Sequence, residues 1–475
     1  MNLAQRFVTG SVFVSIGQFS SNAVNLGMQL VIARLLGPAE FGVYAFCFAI
    51  TEFISILGSF SLSYALVQAE EARQEDLDTA FTISLVLGLV AIGVALALSP
   101  WIGTARSTQA AGILFLMCTM RMLMFVSQIP EAVLERSLRF RALTLTRAFA
   151  TVVPNVVAVG LAWAGLGAWS LGIRDVLMGT SLVALCWAFS GYRFRARLSR
   201  SAWTKLMDYA RPMFASRTIE ILMERLDALA VATLLGNRAA GLYHQARFLS
   251  EAGFVATRPL ERVAFIFFAR VRNDPERLAR GWALTNYFLL RVMLTGASAL
   301  LLFPEQVVLL LLGEDWIDTA PLLRWLALYG ALFPIFHNVK NLFYGLGEVA
   351  RMVRVRIAQA VVFIAGVGYA SFTGELRDMA IAVLVALGFA LAYGWWRTRD
   401  LVESPPAARL ARPFATLALT VIVVTGAMRA TPLGQTPELL QPFIAPVAMA
   451  VLSFVLEPRR LPEEIRYLWQ QLRAS

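Results

Sequence analysis

The sequence predicts an all-α polytopic membrane protein of about 14 transmembrane helices. Three observations predict it: an extreme apolar composition, apolar runs of spanning length, and a repeat that divides the chain into two lobes. Of 475 residues, 58% are hydrophobic and 15% charged, and mean hydropathy is +0.65. Soluble domains run near about 45–50% apolar and about 25% charged. Lipid is the simplest solvent for this much apolar surface.

A spanning helix needs about 20 apolar residues. Such runs fall at 8–33, 41–67, 78–100, 110–133, 143–164, 167–190, 207–235, 240–268, 282–303, 319–344, 350–371, 377–396, 411–428 and 440–456. The first continues through Gln18, Asn22, Asn25 and Gln29, longer than the apolar region of a signal peptide, and reads as an uncleaved first helix. Connecting segments are short, which argues against an inserted soluble catalytic domain. The tail 457–475 is basic and aromatic, and reads either as a surface-lying amphipathic helix or as a solvated segment.

The net charge of +11 comes from 42 Lys and Arg against 31 Asp and Glu. These cations lie between apolar runs, so they read as an orientation signal and not as a nucleic-acid surface. With the N-terminus placed in the cytoplasm, 26 of the 42 fall in cytoplasmic segments, 5 (Arg34, Arg106, Arg238, Arg377 and Arg429) on the other side, and 11 within spans. Both termini are therefore expected in the cytoplasm of a bacterial inner-membrane protein. Cys47, Cys118 and Cys186 each sit in an apolar run, read as small buried hydrophobes, and offer no zinc spacing. With two histidines, His244 and His337, a histidine metal site is not expected, and no cofactor is implied.

Residues 33–44, ARLLGPAEFGVY, and 232–243, ATLLGNRAAGLY, share A-x-L-L-G-x4-G-[VL]-Y at an offset of 199. Both lie where one long helix exits and the next enters. Gly37 and Gly236 suit a tight turn that needs positive φ. The repeat divides the chain into an N-terminal lobe (1–190), a cytoplasmic linker (191–206), a C-terminal lobe (207–396), and two further helices with a basic tail (397–475). The two six-helix lobes would be related by a pseudo-two-fold along the membrane normal, with the substrate path between them.

Polar residues inside spans usually face a bundle interior or a wet cavity. Gln18, Asn22, Asn25 and Gln29 step by 4, 3 and 4 along one face of the first helix. Arg217, Glu220, Glu224 and Asp227 step by 3, 4 and 3 along the seventh. The offset maps Gln18 onto Arg217, Asn25 onto Glu224 and Glu52 onto Glu251. His244, Arg247, Arg258 and Arg262 follow on the face of Glu251. Two readings remain open: structural ion pairs between helices, or a hydrated cavity whose arginines hold an anionic substrate. Arginine suits the second because its planar fork binds phosphate in pairs of hydrogen bonds. The candidate substrate residues are Arg217, Arg247, Arg258, Glu220, Glu224, Glu251, Asn25, Gln18 and Glu52. Arg121, Arg174 beside Asp175, Arg291 and Arg324 read as isolated charges that snorkel or pair locally. His337 and Lys340 read equally as cavity-lining or interfacial. No Walker A, HExxH, GxSxG or GxGxxG pattern is present, so no enzyme is predicted.

The motif A-R-L-L-G-P-A-E-F-G-V-Y-A at 33–45 resembles polysaccharide flippases of the Wzx type, in the multidrug/oligosaccharidyl-lipid/polysaccharide exporter superfamily. So do L-x-F-R-A-L at 138–143, G-L-G-A-W-S-L at 165–171, and L-L-L-L-G-E-D-W at 309–316 followed by Ala320 and Pro321. The resemblance implies a V-shaped two-lobe fold, a central cationic cavity and alternating access. It implies an undecaprenyl-pyrophosphate-linked oligosaccharide as substrate, with membrane lipids and a polysaccharide polymerase or export machinery as partners. The chain departs from that pattern in its first helix, whose polar stripe carries no arginine. A multidrug exporter of the same superfamily would favour cavity carboxylates in the N-terminal lobe, where Glu52 stands alone. A membrane-embedded glycan polymerase or ligase would present a large extracytoplasmic loop, and the longest here, 304–318, is short.

The orientation is checked with phosphatase fusions in cells. A fusion at the C-terminus should be inactive and one inserted within 430–438 active; the opposite pattern overturns it.

Overall fold

The structure is a computed structural model that describes residues 3–56, 62, 66, 73–137, 139–195, 197–402, 407–430, 437–438 and 440–456. The tail 457–475 lies outside them. The described chain is helical, without strands among the described residues. In order come α1 (Leu3–Ile54), α2 (Gln74–Ala105), α3 (Thr108–Arg136), α4 (Phe140–Trp163), α5 (Trp169–Ser190), α6 (Arg200–Leu234), α7 (Gly236–Glu251) and α8 (Phe254–Arg270). There follow α9 (Pro275–Leu302), α10 (Pro304–Leu311), a 3-10 turn (Glu314–Thr319), α11 (Ala320–Gly345), α12 (Val349–Thr373), α13 (Leu376–Trp396), α14 (Ala407–Ala430) and α15 (Gln441–Leu456).

The all-α polytopic reading holds. Among the described residues ten helices are long and apolar enough to cross a membrane. α7, α8 and α15, at 16, 17 and 16 residues, are too short for that set, and α6 is not among the ten. The runs at 8–33 and 41–67 begin two helical stretches that meet at a kink at Gly37 and are labelled together as α1. The run at 240–268 divides at Ala252 and Gly253 into α7 and α8. Local chemistry sets several starts. Ser107 Oγ accepts from Ala110 N at 3.1 Å to cap α3. Asp274 accepts from Arg277 N at 3.1 Å ahead of Pro275. Both satisfy amides that a helix leaves orphaned at its start.

The chain forms two compact units, Met1–Gly241 and Leu242–Ser475. In the first, α1 packs on α3, α4 and α6, α2 on α3, and α5 on both α3 and α4. Its buried centre holds Tyr44, Arg174 and Asp175. Tyr44 OH donates to Asp175 Oδ2 at 3.1 Å, Arg174 Nη2 donates to Tyr44 OH at 2.8 Å, and Arg174 pairs with Asp175 Oδ1 at 2.8 Å. In the second unit, α11 packs on α8, α9 and α13, and α9 on α14 and α15. Leu289, Met293, Ala327, Ile335, Leu417 and Met449 fill that core.

The two repeat turns meet inside the first unit. Gly37 (φ 71, ψ 169) and Gly236 (φ 88) both adopt left-handed φ, as their shared position requires. Five residues on, Gly42 lies against the Asn237 carbonyl, and Gly241 lies against the Pro38 carbonyl; a Cβ on either would run into that oxygen. The 199-residue offset carries Gly42 onto Gly241 and Pro38 onto Asn237. Each turn therefore presses its glycine on the residue after the partner turn's positive-φ glycine. Arg106 braces the same place. Its Nη2 donates to the Ala232 and Thr233 carbonyls at 2.8 and 2.7 Å, capping the end of α6 where a cation is favoured. Its guanidinium lies 5.1 Å from the centroid of the Phe46 ring.

Gly42→Ala and Gly241→Ala should each destabilise by about 1–3 kcal/mol through overpacking. The double variant should fall short of the sum, because both act on one contact region. Gly27→Ala, which meets open space, should leave the melting temperature in detergent unchanged.

Candidate functional site

Two arginine clusters stand out, one in each unit. In the first, Glu52 on α1 accepts through Oε1 from Arg121 Nη2 of α3. Its Oε2 lies 3.4 Å from Arg225 Nε of α6. The Arg225 guanidinium also lies over the Phe48 ring at 5.5 Å. The side chains of Arg121, Glu52 and Arg225 are 14, 15 and 33% exposed. Among the described side chains, two guanidiniums thus meet one carboxylate. Arg121 Nε is shielded and has no hydrogen-bond partner among the described residues.

In the second unit, Arg247 Nε donates to Glu251 Oε1 at 2.5 Å, one helical turn along α7. Arg247 Nη2 donates to Tyr329 OH at 2.7 Å, with the guanidinium 4.3 Å from that ring's centroid. Tyr329, Phe333 and His337 recur every four residues and share one face of α11. Tyr329 stacks on Phe333 at 5.4 Å, and Phe333 contacts His337 at 4.5 Å. Phe254 of α8 closes on Phe333 and His337 at 5.2 and 5.1 Å. Arg258 is exposed, with its guanidinium 5.4 Å from the Phe254 centroid. The buried Glu261 places Oε2 3.7 Å from His337 Nδ1 and receives Thr257 Oγ1 at 3.4 Å on Oε1.

Of the residues expected from sequence, the structure thus places Glu52 between two arginines and Arg247 with Glu251, and leaves Arg258 exposed over an aromatic ring. Both members of the repeat pair, Glu52 and Glu251, hold a guanidinium. Asn25 accepts from Asn155 Nδ2 at 3.2 Å, a bond between α1 and α4. The side chains of Gln18, Arg217, Glu220 and Glu224 lie outside the described residues. Arg121, read as isolated, is the principal partner of Glu52. Arg324 pairs with Glu305 at 3.0 Å. His337 packs in the aromatic row beside Glu261. Sequence reasoning missed Glu261 and Tyr329 as site residues. Glu261 lies within a run read as spanning, three residues past Arg258, and that was its signal. Tyr329 had the four-residue spacing to Phe333 and His337.

In both clusters guanidiniums are held by a carboxylate and by ring faces. The fold is that of "Lipid II flippase MurJ, inward closed conformation", which this chain matches with a TM-score of 0.74 at 11% identity, covering 94% of this chain and 99% of that one. The class is therefore a multi-pass, flippase-fold membrane protein. The family model described as polysaccharide biosynthesis protein matches residues 31–321, and the chain belongs to that family. It is similar to the succinoglycan biosynthesis transport protein ExoT of Rhizobium meliloti (strain 1021), 27% identical over 397 residues, 82% of this chain and 79% of the relative. It is similar as well to the lipopolysaccharide biosynthesis protein WzxC of Escherichia coli (strain K12), 22% identical over 405 residues, 82% and 79% of the two chains. The resemblance read from the turn motif, to Wzx-type flippases, is borne out.

Glu52→Gln should destabilise the first unit by about 3 kcal/mol, since it leaves two like charges in a poorly hydrated place. Adding Arg121→Gln should recover part of that loss. A double-mutant cycle on melting temperature measures the coupling, and strictly additive effects would refute it.

Proposed function

We propose that the chain is a flippase that moves an undecaprenyl-pyrophosphate-linked oligosaccharide across the bacterial inner membrane by alternating access. It acts as a secondary-type transporter and not as an enzyme, with both termini in the cytoplasm. The flipped glycan would pass to a polysaccharide polymerase or export machinery. The six-helix lobes 1–190 and 207–396, with 397–475 appended, are the organisation we propose for this movement.

The observation that carries this reading is the pairing of two guanidiniums, Arg121 and Arg225, with the described carboxylate Glu52 in the first unit, beside the exposed guanidinium of Arg258 in the second. A diphosphate is the one part of a lipid-linked sugar that is identical whatever the sugar. Paired N–H donors on a planar cation are its natural complement. The transport role of the succinoglycan relative and the lipopolysaccharide role of the Escherichia coli relative support a glycan cargo.

The two clusters divide the expected roles. Arg247 is buried and bonded twice, so it suits structural support of the site, with Glu251 and Tyr329 as its partners. Arg258 is exposed, and we assign it, with Arg217, to the diphosphate. Glu52, Glu220, Glu224 and Glu251 would then keep neighbouring arginines in place between transport events. Gln18 and Asn25 would offer neutral hydrogen bonds to the cargo's polar part.

Complementation of a deletion strain tests this, scored for surface polysaccharide beside membrane protein level. Arg258→Gln should leave protein level near normal and weaken substrate binding roughly 10- to 150-fold, the loss of one charge-assisted contact. Arg258→Lys should rescue partly, keeping charge without the fork. Arg247→Gln should instead lower protein level. Normal export from a well-expressed Arg217→Gln, Arg258→Gln variant would end the proposal.

A further inference from the structure

The segment joining α5 to α6 is built as a charged strap on the membrane edge. Its sequence, Gly191–Arg200, alternates aromatic with arginine: Tyr192, Arg193, Phe194, Arg195, and then Arg197. Residues 191–195 and 197–199 are non-helical, and the burial alternates with the sequence. Tyr192 is buried and Phe194 half-buried, while Arg193, Arg195 and Arg197 are exposed. Alternation of this kind belongs to an extended chain, whose successive side chains point to opposite sides.

The inner side is firmly attached. Phe81 of α2 meets Tyr192 and Phe194 with ring centroids 5.8 and 4.4 Å away, and Trp187 of α5 lies 6.3 Å from Tyr192. Trp187 Nε1 donates to the Tyr192 carbonyl at 3.0 Å, and Tyr192 OH donates to Asp78 at 2.9 Å. Burial and then that hydrogen bond push the Tyr192 phenol above its ordinary range. The backbone is held along α2 as well. Gln74 Nε2 donates to the Arg193 carbonyl, Thr82 Oγ1 to the Arg197 carbonyl, and Ser199 N to Thr79 Oγ1, at 3.3, 3.3 and 3.1 Å. A linker that served only to connect two helices would need none of these bonds.

Among the described residues the outer side has fewer such partners for its charge. Arg197 lies 3.4 Å from Glu75, but both are more than half exposed, and such a pair contributes little. Leu198 is 61% exposed and Trp203, one turn into α6, is 40% exposed, so apolar groups flank the arginines. The strap runs from the end of the candidate span Trp169–Ser190 to the start of α6, beside the first turns of the candidate span Gln74–Ala105. The ends of such spans fall at head-group level when the helices cross a bilayer. A fixed row of guanidiniums with an indole and a leucine beside it complements a negatively charged lipid surface.

We infer that the strap 191–200 with Trp203 is a binding surface for anionic phospholipid head groups, on the leaflet that is cytoplasmic in the proposed orientation. Its arginines take the head-group phosphates while Leu198 and Trp203 enter the acyl boundary. The prearranged backbone makes it stronger than a flexible basic loop of equal charge, because the row is already ordered before lipid arrives.

The test uses the full-length protein, delipidated in a neutral detergent and titrated with short-chain phosphatidylglycerol or phosphatidylcholine, with bound lipid counted by native mass spectrometry. Each arginine near a lipid surface is worth about fivefold in binding, so Arg193→Gln, Arg195→Gln, Arg197→Gln together should weaken phosphatidylglycerol binding about a hundredfold. Phosphatidylcholine binding should not change. Arg270→Gln, Arg272→Gln, Arg277→Gln removes equal charge from exposed positions at the end of α8, the connection after it and the first turn of α9, and should have a much smaller effect. The corresponding Lys triple in the strap should keep most of the binding, and melting temperatures of all variants report folding. If the strap variant binds phosphatidylglycerol like the parent, or both Gln triples lose binding equally, the strap is not a lipid surface. Displacement of phosphatidylglycerol by equimolar inorganic pyrophosphate would also overturn the proposal, by showing a diphosphate site in place of a phospholipid one. A strap variant too unstable to titrate leaves two deciding measurements: the Lys triple, which must bind, and the parent, whose binding must weaken with salt.

Discussion

A guanidinium within a bilayer must bring its partner with it, and that constraint arranges much of this molecule. Water is not at hand to solvate the charge, and leaving it alone costs several kcal/mol. The described structure answers with a small set of devices. Arg174 takes the adjacent Asp175 and the Tyr44 hydroxyl. Arg121 takes Glu52 from another helix, and Arg247 takes Glu251 and Tyr329. Arg291 lies over the Tyr287 ring at 4.6 Å, and Arg356 over Phe336 at 4.6 Å while donating to Gln359 at 3.2 Å. Carboxylate, hydroxyl and ring face thus recur as the three ways of holding the cation. Each of them ties two positions together, so the charges help to set helix packing.

The repeat shows which constraints survive divergence and which do not. Backbone geometry survives. Gly37 and Gly236 keep positive φ, and Gly42 and Gly241 keep contacts that a single methyl would forbid. The acid at the next helix, Glu52 or Glu251, survives as well. Its arginine does not keep its place: Glu52 draws on α3 and α6, whereas Glu251 draws on its own helix. A turn tolerates almost no change in shape, while a carboxylate can be approached from several directions. The two copies thus share their turn geometry and hold their corresponding acids with differently placed cations.

Much of this was legible in the chain because the underlying signals are periodic or local. Apolar runs marked the helices to within a few residues, and the turn motif marked both the repeat and the family. The break between the runs at 8–33 and 41–67 was legible, because Gly37 leaves helical geometry there. One feature was lost for an identifiable reason. The 240–268 run divided because its break, at Ala252 and Gly253, has little polarity to announce it. Among site residues, Glu52 was found by the repeat offset and Arg247 by spacing along one helix. Arg121 and Tyr329 were not, since their roles depend on which helices become neighbours, and no periodicity within one helix carries that. The strap was seen as a charged linker only. Its alternation was in plain view, but the function of alternation depends on Phe81, Asp78 and Thr79, more than 100 residues earlier.

Pairing and substrate binding were set against each other as readings of these charges, and the two are chemically compatible. A guanidinium carries five N–H donors, and one carboxylate engages at most two in a fork. Arg121 shows the consequence. It holds Glu52 through Nη2 while its Nε lies buried with no hydrogen-bond partner among the described residues. An acid that fully neutralised its arginine would stabilise the resting protein and weaken its attraction for an anion. An arginine with no acid would bind the anion strongly and be costly to bury. One carboxylate shared between two arginines, as at Glu52, lies between these limits, because it lowers the burial cost yet leaves net positive charge among those three groups. A carrier needs that intermediate setting, since a site that held its cargo too firmly could not release it on the far side.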